Sequence, residues 1–350
     1  MLILYGILFV SALIGCRVRL RGFWEQELFS RPVTDSVKGL FIWLVFFTHF
    51  NSYVSYTSAL DTAGAQINIL LGQLVVAMFM LYSGYGISQA ILKKGTAYVK
   101  GLPKNRLAKV LCHFAMAVVL FYPLARLMGR PTDLLTVVLS LVGWESLGNS
   151  NWYIFVILCL YAVSFLGYRL ANKNPKLGLW LTTLLSLALL VFLRKTKPTY
   201  WYDTLLCYPL GLWIGTYKDK LVGFFTKSNA RYLAGLLASL AVFVLTNTPH
   251  SIPTLRLAVT LINPLAFCCV GLFILLKVKI QNKWMVLSGN YLFEIYILQR
   301  IPMILCAHWG LSSLNHYLSF GVCFAATVLL AYGFRKLTNL VDKKVFLKKT

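Results

Sequence analysis

Long apolar stretches, separated by short polar segments, dominate the pattern of residues along the chain. A helix needs about 20 apolar residues to cross the hydrocarbon core of a bilayer, with a lower limit near 17. Eleven stretches come close to that length: 2–16, 37–57, 67–92, 107–128, 152–170, 177–193, 201–217, 232–248, 254–276, 285–307 and 318–334. This pattern predicts an all-α fold, a polytopic transmembrane helical bundle of ten core spans plus an extra N-terminal helix.

One further apolar stretch, 133–144, has about a dozen residues, too few to cross. We expect it to be re-entrant or interfacial. No linker, low-complexity tract or fixed-period repeat interrupts the chain. The sequence therefore predicts an N-terminal transmembrane helix with a basic loop (1–30), followed by one transmembrane domain with a basic tail (31–350).

Composition excludes an ordinary soluble domain, because 59% of the residues are hydrophobic and only 13% are charged. The net charge of +24 could suggest nucleic-acid binding, but long apolar runs separate the basic clusters, so we expect no nucleic-acid partner. The eight cysteines lie mostly in apolar runs without metal-ligand spacing, and we predict no metal site.

The basic residues sort to one side of the predicted spans. Of 34 Lys and Arg residues, 27 fall on the side that contains the C-terminus, and the positive-inside rule makes that side cytoplasmic. The exception is the cluster Arg194, Lys195 and Lys197: either a span is miscounted there, or these cations face an acidic partner. We expect a multi-pass protein of the cell membrane, and the lack of any Asn-x-Ser/Thr sequon fits a bacterial origin.

Titratable residues inside apolar spans are costly, so they indicate function. Lys38 and His49 lie 11 residues apart, which on an α-helix amounts to three turns plus roughly 20° and a rise of roughly 16 Å. Both side chains should share one helix face. An imidazole at that depth can act as a general base, and a lysine at the membrane surface can bind an anion. A histidine that is only hydrogen-bonded within the packing is an equally good interpretation of this position taken alone.

The pattern Asp35-x-x-Lys38-Gly with His49 eleven residues after the lysine resembles the opening helix of the acyltransferase-3 family of membrane acyltransferases. Lysine stands where arginine is more usual, which keeps the charge but loses bidentate phosphate geometry. Ser83-Gly84 resembles an aromatic-Ser-Gly segment of the next family helix, although close helix packing is the simpler explanation. Arg106 and Lys109 resemble the family's Arg-x-x-Arg, and we expect them on one helical face near a helix N-terminus, where anions bind.

Two later segments complete the resemblance. Trp152 and Tyr161 are similar to a family Trp with a Tyr nine residues on, with Ile157 where some subgroups carry Glu; an interfacial anchor is the alternative role for Trp152. The run from Gly289 to Gln299 is similar to Gly-x-x-Ser-x-Glu-Ile-Tyr-Leu-Leu-His. Glu294 and Tyr296 match it, whereas Leu292 replaces the Ser and Gln299 replaces the His. We expect Glu294 to pair with Arg300, His49 or an amide.

The resemblance covers residues from about 31 to 335 and implies transfer of an acyl group, most often acetyl, from cytoplasmic acyl-CoA to a hydroxyl of an extracytoplasmic or lipid-linked glycan. His49 would be the general base with Glu294 beside it, and Lys38, Arg106 and Lys109 would bind the donor's phosphates. Six residues would line the site: Asp35, Ser83, Trp152, Tyr296, Gln299 and Arg300. No permanently bound cofactor is expected, since acyl-CoA serves as the donor substrate.

Two other functions fit the sequence. A transporter or flippase without covalent chemistry would use His49, Glu294 and Arg300 as an intramembrane path. A non-catalytic member of the family is the other possibility. Neither the acceptor, the acyl group nor the oligomeric state follows from the sequence.

Overall fold

The computed structural model describes residues 1–56, 58–247 and 253–346, and the chain is helical along most of this length. A two-stranded antiparallel sheet joins β1 (Arg17–Val18) to β2 (Val278–Lys279). The α-helices are α1 (Leu2–Leu13), α2 (Arg31–Asn51), α3 (Ala59–Leu71), α4 (Leu74–Lys94), α5 (Thr96–Leu102), α6 (Lys109–Leu127), α7 (Leu134–Leu141), α8 (Trp152–Leu170), α9 (Pro175–Thr196), α10 (Cys207–Thr226), α11 (Asn229–Thr246), α12 (Pro253–Lys277), α13 (Lys283–Asn290), α14 (Leu292–Leu298), α15 (Arg300–His308), α16 (Leu311–Leu314) and α17 (His316–Val341). The predicted all-α helical bundle is confirmed.

Eight helical runs within the described residues are long and apolar enough to cross a membrane. Helix α1 has only 12 residues, and the apolar stretch predicted at 285–307 is divided among α13, α14 and α15. The stretch 133–144 contains the eight-residue helix α7, too short for a span. The predicted apolar stretches thus coincide with helices, but not all of them are single, full-length spans.

Glycines bring two helix pairs into backbone contact. A side chain at Gly84 of α4 would collide with the backbone of Tyr208 in α10, and one at Gly211 would collide with that of Leu81. Gly39 of α2 and Gly289 of α13 pack against each other's helices in the same way. Small residues allow this close approach, as is common between transmembrane helices. The interpretation of Ser83-Gly84 as a packing pair therefore holds for Gly84.

Several of the basic segments meet at one end of the bundle, which we call the basic end. The β1–β2 pair joins the loop after α1 to the loop after α12. Phe23 in the first of these loops packs on Tyr232 at the start of α11. Lys109, at the start of α6, forms an ion pair with Asp342 just after α17. Two of the six C-terminal cations, Lys348 and Lys349, lie outside the described residues.

Lys197, from the cluster that departs from the charge pattern, lies at the opposite end. Its ammonium group donates a 2.9 Å hydrogen bond to the carbonyl of Trp144 and stacks on the rings of Trp144 and Trp201. Burial lowers the pKa of Lys197, and the nearby carboxylate of Glu145 opposes that shift. Lys197 thus contacts two tryptophans and has an acidic neighbour in Glu145.

Candidate functional site

His49 lies near the end of α2, half-buried between two other parts of the chain. Helix α2 is unbroken from Arg31 to Asn51, so the predicted rise of roughly 16 Å from Lys38 to His49 holds. The Nδ1 atom of His49 lies 3.5 Å from the hydroxyl of Ser150, in the buried loop before α8. On the other side, the ring of Tyr296 in α14 lies 6.2 Å from the imidazole.

Gln299 and Arg300 directly follow α14, the helix that carries Tyr296. Arg300 is near enough to His49 and to Tyr296 to interact electrostatically with both. Gln299 is fully buried and donates a 3.2 Å hydrogen bond to the carbonyl of Tyr296. Within the described part of the chain, neither Gln299 Oε1 nor Arg300 Nε has a hydrogen-bond partner. Buried polar atoms without partners are rare in folded proteins and are expected where a substrate binds.

Glu294 does not belong to this group of residues. Its carboxylate forms a two-point ion pair with Arg335 of α17, in which Arg335 Nε donates a 2.7 Å hydrogen bond to Oε1. Arg335 also donates to the carbonyl of Asn290. The expected pairing of Glu294 with Arg300, His49 or an amide is wrong, because the guanidinium of Arg335 offers the fork geometry that a carboxylate prefers. Because Glu294 pairs with Arg335, it does not join His49 and Arg300 in the intramembrane path that a transporter would use.

Arg106 and Lys109 point to different partners, which corrects the expectation that they share one helical face. The segment Pro103–Ala108 is a π-helix inserted between α5 and α6, and its wider turn changes the register of the side chains. Arg106 Nε donates a 3.3 Å hydrogen bond to the phenol of Tyr98, whereas Lys109 pairs with Asp342 across the bundle. Helix runs through both residues, so neither lies at a free helix N-terminus.

A row of aromatic hydroxyl-bearing residues connects Arg106 with His49. Arg106 interacts electrostatically with Tyr161 of α8, and the hydroxyl of Ser83 interacts with both Tyr161 and Tyr153. The ring of Tyr153 in turn lies 5.3 Å from that of Tyr296, the neighbour of His49. We call Tyr161, Tyr153 and Tyr296 the tyrosine row. The structure thus places Ser83 between the predicted donor-binding residue and the predicted base.

Of the remaining predicted site residues, Trp152 packs against this row, whereas Lys38 and Asp35 pair with each other. Lys38 forms a 3.0 Å ion pair with Asp35 and lies 6.0 Å from the ring of Tyr82. Trp152 is buried and packs edge-on against Tyr153 and Tyr200, so it is not an exposed interfacial anchor. Both lysines of the predicted donor site therefore have carboxylate partners, whereas no described carboxylate pairs with Arg106.

Several residues near the site were not predicted from the sequence. Tyr98, Tyr153 and Ser150 gave no distinctive signal, although Tyr153 follows Trp152 directly. The Nε2 atom of His113 lies 2.9 Å from Asp342, a partner 229 residues away in the chain. No group of three His, Cys, Asp or Glu side chains that could hold a metal occurs in the described residues.

Comparison with known proteins adds one finding to this geometry. The family model for the acyltransferase domain, acyltransferase-3, matches residues 34–336, which is most of the chain. No curated protein and no solved structure matches the chain. The matched region contains His49, the tyrosine row, Arg106 and the Glu294–Arg335 pair. The chain belongs to the acyltransferase-3 family of membrane acyltransferases.

Proposed function

We propose that this protein is an O-acyltransferase that moves an acetyl group from acetyl-CoA to a hydroxyl of an extracytoplasmic or lipid-linked glycan, with His49 as general base. The observation that supports the proposal is the half-buried imidazole of His49, which lies beside Ser150 and interacts electrostatically with Arg300, whose Nε atom has no hydrogen-bond partner among the described residues. Such a cluster inside a membrane bundle suits a reaction better than it suits packing.

The donor would enter at the basic end, which the positive-inside rule places in the cytoplasm. Arg106 supports this route, because it is exposed and, among the described residues, its guanidinium hydrogen-bonds only to a neutral phenol, Tyr98. A phosphate of the coenzyme can therefore bind to its guanidinium without displacing a carboxylate. The uncharged pantetheine arm would then lie along the tyrosine row, and the thioester would reach His49. Lys38 would add a second contact on exchanging its bond to Asp35.

The chemical step would use one proton and one electron pair. With Nδ1–H donating to Ser150, the Nε2 atom of His49 has a free lone pair and takes the proton of the acceptor hydroxyl. The acceptor oxygen attacks the thioester carbonyl carbon, and the guanidinium of Arg300 stabilises the negative charge on the carbonyl oxygen. The carbon–sulfur bond then breaks, the acyl group stays on the acceptor oxygen, and the thiolate takes the proton from Nε2.

The test measures thiol release from acetyl-CoA by the purified protein in detergent, with and without envelope glycan as acceptor. We expect His49→Ala to abolish glycan-dependent release. His308→Ala is the matched control, since His308 is exposed near the end of α15. Turnover that persists in His49→Ala would exclude this histidine as the base. If the wild-type protein neither binds nor cleaves acetyl-CoA when glycan is present, the transport function becomes the better explanation.

A further inference from the structure

A cavity of about 510 Å³ opens at the end of the bundle opposite the basic end. It lies where α3 meets α4, and the loop before α10, the end of α11 and the first half of α12 complete its wall. Helix α4 runs from this cavity at Leu74 to Lys93 and Lys94 at the basic end, so the bundle separates the two regions. The volume is within the range of about 300–1,000 Å³ that is typical of small-molecule sites.

Asp203 is the most unusual residue of the cavity wall. Its Oδ1 atom is buried and has no hydrogen-bond partner in the described part of the chain. Burial raises the pKa of Asp203 to about 7, although hydrogen bonding from the neighbouring Thr204 backbone partly opposes that shift. Leaving such a group unpaired costs free energy, and a ligand that hydrogen-bonds to it recovers that cost.

The other polar groups of the wall narrow the class of ligand. Arg256 places a cation in the same cavity as the carboxyl of Asp203, and Gln73, Asn247 and Asn263 add amide groups. Arg256 would repel a simple cation, and the carboxylate of Asp203 would repel a simple anion. A purely apolar molecule would leave all of these groups unpaired. Hydroxyl groups, which both donate and accept hydrogen bonds, can satisfy them together.

The apolar part of the wall fits the same class. Leu71, Leu74, Val259 and Pro264 line the cavity beside the polar groups. A sugar ring presents hydroxyls at its edge and carbon–hydrogen bonds on its faces, so it matches a wall of mixed character. Asn247 and Arg256 are exposed, which leaves the cavity open to a larger molecule.

The cavity does not include His49, but its wall is connected to the surroundings of His49 on two sides. Asn68, the residue before the wall residue Ile69, accepts a 3.3 Å hydrogen bond from Thr48, the residue before His49. On the other side, Trp201, two residues before Asp203, packs against Trp144 in the segment that leads to Ser150. These contacts connect the segments that form the cavity wall with those that hold the imidazole.

We propose that this cavity is a subsite for a carbohydrate, and that it holds a non-reacting part of the acceptor glycan while another unit of the same glycan reaches His49. This inference rests on the proposed function and assigns binding of the acceptor glycan to named residues. Asp203 would accept or donate a hydrogen bond to a sugar hydroxyl, and Arg256 would donate to a second one.

The experiment uses the full-length protein in detergent, radiolabelled acetyl-CoA, and envelope glycan of the source organism from which base treatment has removed the esters. Label transferred to the glycan is measured as the glycan concentration rises. We expect Asp203→Ala and Arg256→Met, which remove the hydrogen-bonding groups, each to raise the half-saturating glycan concentration about ten-fold, with the maximal rate nearly unchanged. Glu145→Gln is the control, since it removes a carboxylate at the same end of the bundle outside this cavity.

A second measurement does not depend on catalysis. Dicyclohexylcarbodiimide reacts with protonated carboxyl groups in apolar surroundings, so it should label Asp203 at pH 6, as located by mass spectrometry. Added glycan should protect Asp203 from the reagent. The subsite does not exist if glycan fails to protect Asp203 and the half-saturating glycan concentration is the same in the two variants as in the wild type. If glycan protects Asp203 but acetyl-CoA is never cleaved, the subsite stands and the proposed function fails.

Discussion

The hydroxyl of Ser150 and the Nδ1 atom of His49 lie 3.5 Å apart and connect the loop before α8 to the end of α2. This contact gives the imidazole a partner at Nδ1, and no other described residue hydrogen-bonds to Nε2. The hydrogen bond at one ring nitrogen determines which tautomer a histidine adopts. Ser150 is therefore a positioning residue for the proposed base.

Ser150→Ala should lower the kcat of glycan acetylation about ten-fold and leave the KM for acetyl-CoA nearly unchanged, because the base loses its orientation while the donor site stays intact. Steady-state kinetics with both substrates measures this difference. Ser313→Ala, at an exposed serine of α16, is the control. Equal kcat values for the two variants would remove Ser150 from the mechanism.

Arg106 and Lys109 should differ in their effects, although both are cations of the same helical run. Arg106→Ala should raise the KM for acetyl-CoA about ten-fold or more, because it removes the cation that has no carboxylate partner. Lys109→Ala should mainly lower the melting temperature, since it takes an ion-pair partner from Asp342. Kinetics and thermal unfolding of both variants in the same detergent separate the two roles. The reverse order of KM effects would place the phosphate site at Lys109.

The ion pair between Glu294 and Arg335 should stabilise the fold. Glu294→Gln should reduce the free energy of unfolding by roughly 2–4 kcal/mol, because it leaves the guanidinium of Arg335 without its charged partner. Asp35→Asn, which breaks the more exposed pair with Lys38, should cost less than about 1 kcal/mol. Denaturant unfolding monitored by tryptophan fluorescence compares them. Equal losses would show that the Glu294–Arg335 pair is no stronger than a surface pair.

Asp203 should make stability depend on pH. Its carboxyl has a pKa of about 7 in the folded protein, above the ordinary value near 3.9. The folded state therefore holds a proton that the unfolded state releases, and stability falls as the pH rises toward 7. Asp203→Asn should raise the melting temperature at pH 8 and change it little at pH 4.

The difference between wild type and variant isolates Asp203, because all other titrating groups are common to both proteins. Glu145→Gln should show no such pH-dependent gain. A constant difference between Asp203→Asn and wild type from pH 4 to pH 8 would contradict the raised pKa of this carboxyl.

The sequence predicted what depends on local helical geometry. The apolar stretches located the helices, and the spacing of Lys38 and His49 held because α2 is continuous. The π-helix at Pro103–Ala108 was not predicted, since no simple residue pattern signals the inserted turn, and the expected common face of Arg106 and Lys109 was wrong for this reason.

Partners distant in the chain could not be predicted. Arg335 reaches Glu294 across 41 residues, and Ser150 reaches His49 across 101. Such contacts depend on how the helices pack against one another, and a single sequence taken alone does not reveal that packing. The cavity at Asp203 was missed for the same reason, because its wall combines four separate helices and a loop.

The glycine contacts between α4 and α10, and between α2 and α13, have a consequence for how substrates can move. Helix backbones in direct contact cannot slide or separate without losing packing along the whole interface. Helix α2 carries His49 and α4 carries Ser83, so each of these residues lies in a closely packed helix pair. Helix α11, by contrast, buries few of its residues. Any opening and closing during turnover should therefore take place at the periphery, by α11 and α12, while α2 stays fixed against α13 and α4 against α10.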